Sequence, residues 1–162
     1  MTDRTFDPSE YDVTIARTFD APRELVWEAW TDTDQVAEWW GPEHFIVPRC
    51  ELDVRPGGRY HIDMDEPDGT VYPDAGEYLA VDEPERLVMV GRVFEDGDGN
   101  PQLETRSTVS FEADGDRTHL TLVAEVLSAT PDVADALGGM EMGWNQSFEK
   151  LAGFLHPTEV SE

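Results

Sequence analysis

Lysine is almost missing from this sequence: Lys150 is the single one, and Lys and Arg together number 11 against 36 Asp and Glu, a formal charge of −25. Binding to a nucleic-acid backbone needs a basic face that displaces counterions, so that function class is disfavoured from the outset. Cysteine is as scarce. Cys50 alone can close no intramolecular disulfide and has no zinc-ligand spacing around it, which fits a reducing, cytoplasmic setting. No run of about 18 apolar residues occurs, and no basic start leads into an apolar stretch. The expectation is a protein neither exported nor threaded through a membrane.

What is present is one domain's worth of chain. At 162 residues a single core can account for the fold. The acidic residues are spread along the sequence instead of clustering as they would in a disordered tail. A charge this large repels itself in dilute buffer, whereas at molar salt the Debye length falls to roughly 3 Å and the repulsion nearly disappears. The composition resembles that of cytoplasmic proteins of salt-loving microbes; the alternative is an ordinary acidic protein.

The polar segments 1–10 and 157–162 read as loose tails around a domain at 11–156. Tyr11 to Phe19 alternates as a strand, with Val13 and Ile15 on one side. "DAPRELVWEAWTD" reads as a short helix with Pro22 in its first turn and Leu25, Val26, Ala29 and Trp30 on one face. A second short helix runs from about Thr33 to Trp40, capped by Asp32 or Thr33 and ended by Gly41-Pro42. The period then changes to two. Phe45–Val54, Arg59–Met64, Val71–Val81, Arg86–Phe94, Leu103–Phe111 and His119–Val126 are strand candidates separated by turn-rich segments, which implies an antiparallel meander. A long helix from about Pro131 to Leu155 carries the stripe Leu137, Met140, Trp144, Phe148 (or Ser147), Leu151 and Leu155. Gly138, Gly139 and Gly143 weaken its first half by about 1 kcal/mol each, and a close approach of the sheet or a ligand would explain them. The fold class is therefore α+β: a curved antiparallel sheet of about seven strands, two short helices after the first strand, and a long C-terminal helix across the concave face.

Four blocks, "AWTDTDQVAEWWGP", "CELDVRPGGRYHIDM", "GEYLAVDEPERLVMV" and "GWNQSFEKLAGFL", resemble in order and spacing the activator of heat-shock protein 90 ATPase homologue (AHSA-type) branch of the START-like SRPBCC superfamily. The resemblance spans Tyr11 to Leu155. It implies a helix grip around an internal cavity, in a superfamily whose branches bind lipids, hormones or polyketides, catalyse cyclisation, or assist a chaperone. In the eukaryotic co-chaperone a separate N-terminal domain accompanies this type of domain.

The residues themselves offer little catalytic chemistry. Asp96, Asp98 and Asn100 alternate as in a calcium loop, but Pro101 stands where glycine makes the turn and Ser107 where a bidentate glutamate belongs. A solvated hairpin loop is the better reading. His44, His61, His119 and His156 are scattered; His61 and Asp63 share a strand face and read as a surface pair. There is no nucleophile elbow and no phosphate loop, so no catalytic residue, metal or cofactor is expected. Asn145-Gln146-Ser147 has the glycosylation pattern but falls inside the expected helix.

What remains is the cavity. Tyr60, Ile62 and Met64 alternate on one strand; Tyr78, Leu87, Met89, Val109 and Leu122 are candidates from neighbouring strands; Met140, Trp144 and Phe148 of the long helix would face them. A fully packed core is the alternative. Glu77, Arg92, Glu104, Arg106 and Glu125 are the polar groups that could reach inward and orient a ligand. Trp39 and Trp40, about 100° apart if both are helical, flank the stripe begun by Val36 at the seam of helix and sheet. One should be buried more deeply; the pair reads as a structural anchor, with a mouth-lining role for at least one ring as the alternative. The leading function is non-enzymatic binding of a small hydrophobic or amphipathic ligand. Behind it stand a chaperone-accessory interaction domain and a cyclase- or hydrolase-like enzyme, which would need a titrating group inside the cavity.

Overall fold

The computed structural model describes residues 11–41, 44–95, 101–130, 133 and 137–155. The expected tails and the calcium-like triad Asp96, Asp98 and Asn100 lie outside the described residues. Seven strands form one antiparallel sheet: β1 (Val13–Phe19), β2 (Ile46–Leu52), β3 (Arg59–Asp65), β4 (Val71–Asp82), β5 (Arg86–Glu95), β6 (Pro101–Asp114) and β7 (Arg117–Ala129). The spatial order is β1-β7-β6-β5-β4-β3-β2, so β2 to β7 form a meander and β1 closes it by pairing with β7. Three helices complete the α+β helix-grip fold: α1 (Arg23–Thr31), α2 (Thr33–Trp39) and α3 (Met140–Leu155). No helix among the described residues is long and apolar enough to cross a membrane.

Local chemistry accounts for the helices. Asp32 Oδ1 accepts the backbone N–H groups of Asp34 and Gln35 at 3.0 and 3.1 Å, a cap for α2 that contributes about 1 kcal/mol. The buried face of α1 is Val26, Trp27, Ala29 and Trp30; Leu25, expected on that face, is 48% exposed. The stripe is rotated by one residue because Trp27 packs edge-on against Phe111 at 5.3 Å. Helix α2 ends at Trp39, and Trp40 is extended at φ −68°, ψ 140° instead of helical. Gly41 then takes φ +94°, a left-handed turn that favours glycine. The continuous helix expected from Pro131 starts at Met140; Leu137 and Gly138 are helical, but Gly139 is a turn. Two adjacent glycines, the weakest helix formers after proline, stand at that interruption.

The sheet's inner face follows the period-two alternation. Opposed residues in register share a side, and Ile62↔Asp74, Met64↔Tyr72, Leu87↔Val109 and Val109↔Leu122 all point toward the helices. Register shifts interrupt the β4–β5 pairing between Tyr78 and Ala80 and the β6–β7 pairing between Glu104 and Thr105. The outer face carries the charges. Arg92 donates from Nε to Glu104 at 3.0 Å and from Nη2 to Glu77 at 3.0 Å, and Arg106 donates to Glu125 at 2.9 Å. These five residues therefore grip one another across the outer side and do not orient anything inside.

Candidate functional site

One end of the interior is sealed. Helix α1 brings Trp30 against Trp39 at 4.7 Å and against Phe148 of α3 at 6.2 Å, and Trp39 Nε1 donates to the Ala29 carbonyl at 2.9 Å. Tyr78, Leu87, Val109, Leu122, Phe148 and Leu151 join that cluster with no exposed surface. Burying each such side chain stabilises by about 1.5–3 kcal/mol, so this end anchors the fold.

The other end is open. Between the first turns of α3 and the far halves of β3 to β6 lies a cavity of about 400 Å³. Its helical wall is Met140, Gly143, Trp144 and Ser147, preceded by Gly139. The sheet supplies Met64 from β3, Tyr72 and Asp74 from β4, Gly91 and Val93 from β5, and Leu103 and Thr105 from β6. Trp40, Gly41 and Phe45 close the side facing α2 and β2. Gly139 and Gly143, four residues apart, border the cavity without side chains. The lone lysine ties this rim together: Lys150 Nζ donates to the Phe45 carbonyl at 3.3 Å. Trp144 is stacked on Trp30, 18° from parallel at 6.1 Å, and meets Trp40 edge-on at 5.5 Å. The aromatic cluster of the sealed end thus continues to the cavity wall.

Of the residues singled out in the sequence, Trp40, Met64, Met140 and Trp144 stand together on this wall. Trp39, Ile62, Tyr78, Leu87 and Met89 are instead packed in the core, as are Val109, Leu122 and Phe148. Tyr60 is 5% exposed and sends its hydroxyl toward the cavity's carboxyl group. The tryptophan pair divides: Trp39 is fully buried, and Trp40, 7% exposed, lines the opening. The physical reason is the end of α2 at Trp39, which frees Trp40 to turn away from the helix axis.

The residue that sequence reasoning missed is Asp74. It is the one charged side chain on the cavity wall among the described residues. Protein atoms crowd the carboxyl, although the side chain keeps some surface toward the opening. That burial pushes its pKa up to about 7, against a smaller opposing effect of the Tyr60 hydroxyl, which donates to Oδ1 at 3.4 Å, and of His61. Gly91 is what lets the two groups meet. A Cβ there would lie 2.2 Å from the Tyr60 hydroxyl and 2.8 Å from Asp74 Oδ1. Tyr60 itself is held un-ionised, its pKa raised first by burial and then by Asp74. The signal available in the sequence was parity: Asp74 has the same phase as Tyr72 and Tyr78 on one strand.

Other groups have structural partners. His61 Nε2 and Asp63 Oδ1 lie 2.7 Å apart on the outer face, beside a polar groove lined by Arg59, Glu77 and Arg92. Burial pushes the Cys50 thiol up to about 11, which leaves no thiolate at neutral pH. Asn145 and Ser147 bond back to the carbonyls of Glu141 and Gly143 within α3. Among the described residues no group of three or more His, Cys, Asp or Glu is placed to hold a metal.

Known structures share this fold. A solution structure of a protein from Arthrobacter aurescens superposes with a TM-score of 0.80 at 27% identity, covering 98% of this chain and 94% of that one. The crystal structure of protein Ms6760 from Mycobacterium smegmatis gives 0.72 at 27% identity, covering 99% and 98%. The AHSA1 protein of Silicibacter pomeroyi gives 0.74 at 25%, covering 88% and 95%. No curated protein matches the sequence. A family model described as Activator of Hsp90 ATPase homolog 1-like protein matches residues 20–156, and with most of its length inside that match the chain belongs to this family.

Proposed function

We propose that the chain binds a small hydrophobic or amphipathic molecule in the cavity between α3 and the sheet. The observation that supports this reading most directly is the wall itself: apolar and aromatic side chains around about 400 Å³, with a few convergent polar groups in Asp74, Thr105 and Ser147. That is the composition and size of a small-molecule site. Two methionines, Met64 and Met140, give the wall side chains that adapt to ligand shape. Native mass spectrometry of freshly purified protein, joined to shift mapping with a panel of lipids and aromatics, tests it. Retained mass, or shifts confined to Trp40, Trp144 and their neighbours, is expected; empty spectra and no shift across the panel would overturn the reading.

The family description favours a second reading, an accessory domain that engages a chaperone through the β2 edge or the short helices. A pull-down from native extract at high salt should then retain a chaperone, and the retention should survive filling of the cavity.

A further inference from the structure

We propose that the ligand of this cavity is an organic cation, an apolar body bearing one ammonium group, with Asp74 as its counter-ion. The inference rests on the cavity reading above and names the ligand class for that site.

Two features of the wall support it independently. The first is an unanswered charge. No Lys or Arg stands with Asp74 on the cavity wall among the described residues. Arg92, whose strand pairs with β4 beside it, is turned to the outer face and committed to Glu77 and Glu104. Among the described residues the one side-chain hydrogen bond to the carboxyl comes from the Tyr60 hydroxyl at 3.4 Å, beyond the usual length for a charge-assisted bond. An anionic ligand would be repelled by the ionised carboxyl, and a purely apolar one would be accommodated only by its protonated form. A cation answers it.

The second feature is aromatic. Trp40, Phe45, Tyr72 and Trp144 border the same opening. Phe45 and Tyr72 are 5.8 Å apart on one side, Trp40 and Trp144 5.5 Å apart on the other. Aromatic rings attract a cation electrostatically and its alkyl substituents by dispersion, and quaternary ammonium groups are recognised in this way. Rings alone would accept neutral aromatics equally well. The carboxylate among them sets the sign.

The titratable and charged groups around Asp74 are Tyr60 and His61 from β3, Tyr72 from β4 and, on the outer side, Arg92 from β5. Tyr72 is engaged with Glu66 at 3.1 Å; β6 and α3 bring Thr105 and Ser147, which carry no charge, to the wall, and α3 also sends Lys150 to the rim, where its Nζ donates to the Phe45 carbonyl. Because the carboxyl is protonated below about pH 7, cation binding should weaken about tenfold per pH unit below that point.

The test uses benzyltrimethylammonium, whose charge does not titrate, and its carbon isostere neopentylbenzene. Each is titrated into the full chain at about 2 M KCl, where screening prevents the acidic surface from gathering cations. Indole N–H shifts of Trp40 and Trp144 are followed by NMR. The ratio of cation affinity to isostere affinity should fall at least about tenfold on Asp74→Asn, and the wild-type ratio should fall between pH 8 and pH 6 while the variant's stays nearly level. The wild-type pH profile needs no substitution, so a poorly folded variant would not shield the idea. Equal ratios in the two proteins together with a flat profile would overturn the cation assignment and leave the cavity reading standing. Absence of shifts for either probe in either protein would remove both.

Discussion

Met89 and Val93 point to the same side of β5, four residues apart, yet Met89 is 4% exposed in a sealed core while Val93 borders open space. The same division runs across the sheet. Tyr60 and Ile62 are packed and Met64 lines the opening; Tyr78 is packed and Tyr72 and Asp74 line it; Val109 and Phe111 are packed and Leu103 and Thr105 line it. One face of one sheet is therefore core at one end and binding wall at the other. The dividing agent is α3. Its Phe148 and Leu151 reach the sealed cluster, whereas Gly143 and the Gly139 that precedes the helix border the cavity. The helix is held on both sides of the opening, since Met140 in its first turn packs against a second cluster of Leu103, Val126, Val133 and Leu137.

The sharpest way to break this comparison is to remove one tryptophan from each end. Trp39→Ala should cost roughly 3–5 kcal/mol, because it deletes a fully buried ring together with its bond to Ala29. Trp40→Ala should cost about half as much, since its ring already faces open space, and should instead lose ligand affinity. Urea unfolding and shift mapping of both variants measure the two effects; equal, purely thermodynamic losses would erase the distinction.

Asp74 separates the ends by pH. Burial pushes its carboxyl from the ordinary 3.8 of an unfolded chain up to about 7 in the folded one. The native state thus holds a proton that the unfolded chain releases, so stability falls as pH rises from about 4 to about 7, and the penalty is complete above that. Asp74→Asn carries no such penalty. It should be more stable than wild type by on the order of 2 kcal/mol at pH 8, with the gain shrinking toward pH 4. Urea midpoints across pH 4–8 give the answer, and a gain independent of pH would refute the assignment.

Gly91→Ala probes the boundary itself. The added methyl must displace the Tyr60 hydroxyl and the Asp74 carboxyl, at a cost of roughly 1–2 kcal/mol, and should lower the Asp74 pKa only if it opens that pair to water. Carboxyl-detected NMR titration reads both groups. The smallest expected difference concerns salt. If the carboxylate surface is an adaptation to salt, the unfolding midpoint should rise between about 0.1 and 2 M KCl for wild type and Trp39→Ala alike, the two responses agreeing within about 0.5 kcal/mol, because surface repulsion and core packing are distant effects. A flat response in both would leave salt adaptation without support.

Most of the fold was legible because alternation and helical stripes report which side of an element is buried. The strands β3, β4 and β5 fall within a residue or so of their expected limits, and Asp32 caps α2. Depth along a strand is another matter. Leu87 and Val93 give the same period-two signal, and only what lies across from them, a packed cluster with Phe148 and Leu151 or the cavity beside Gly143, makes one core and the other wall. Helix ends were equally opaque: Trp40 continues the apolar pattern of α2 but not its backbone. Asp74 was passed over because a charged residue at an inward position reads as a break in the pattern, when it is the pattern's informative exception.

Leu79 and Leu127 are among the few large apolar residues left to solvent, at 50% and 45% exposure. Both sit where the ladder slips, between Tyr78 and Ala80 on β4 and opposite the Glu104/Thr105 shift on β7. Each is the odd residue in an otherwise even count. Before Leu79 the even-numbered positions Tyr72, Asp74 and Tyr78 face inward; after it the odd-numbered Val81 does, opposite Leu87. Each leucine thus works as a carry digit in the chain's arithmetic of two. Deleting Leu79 would force a choice between Val81 in the core and Asp74 in the cavity, so one surplus side chain in water is what allows a single strand to serve both.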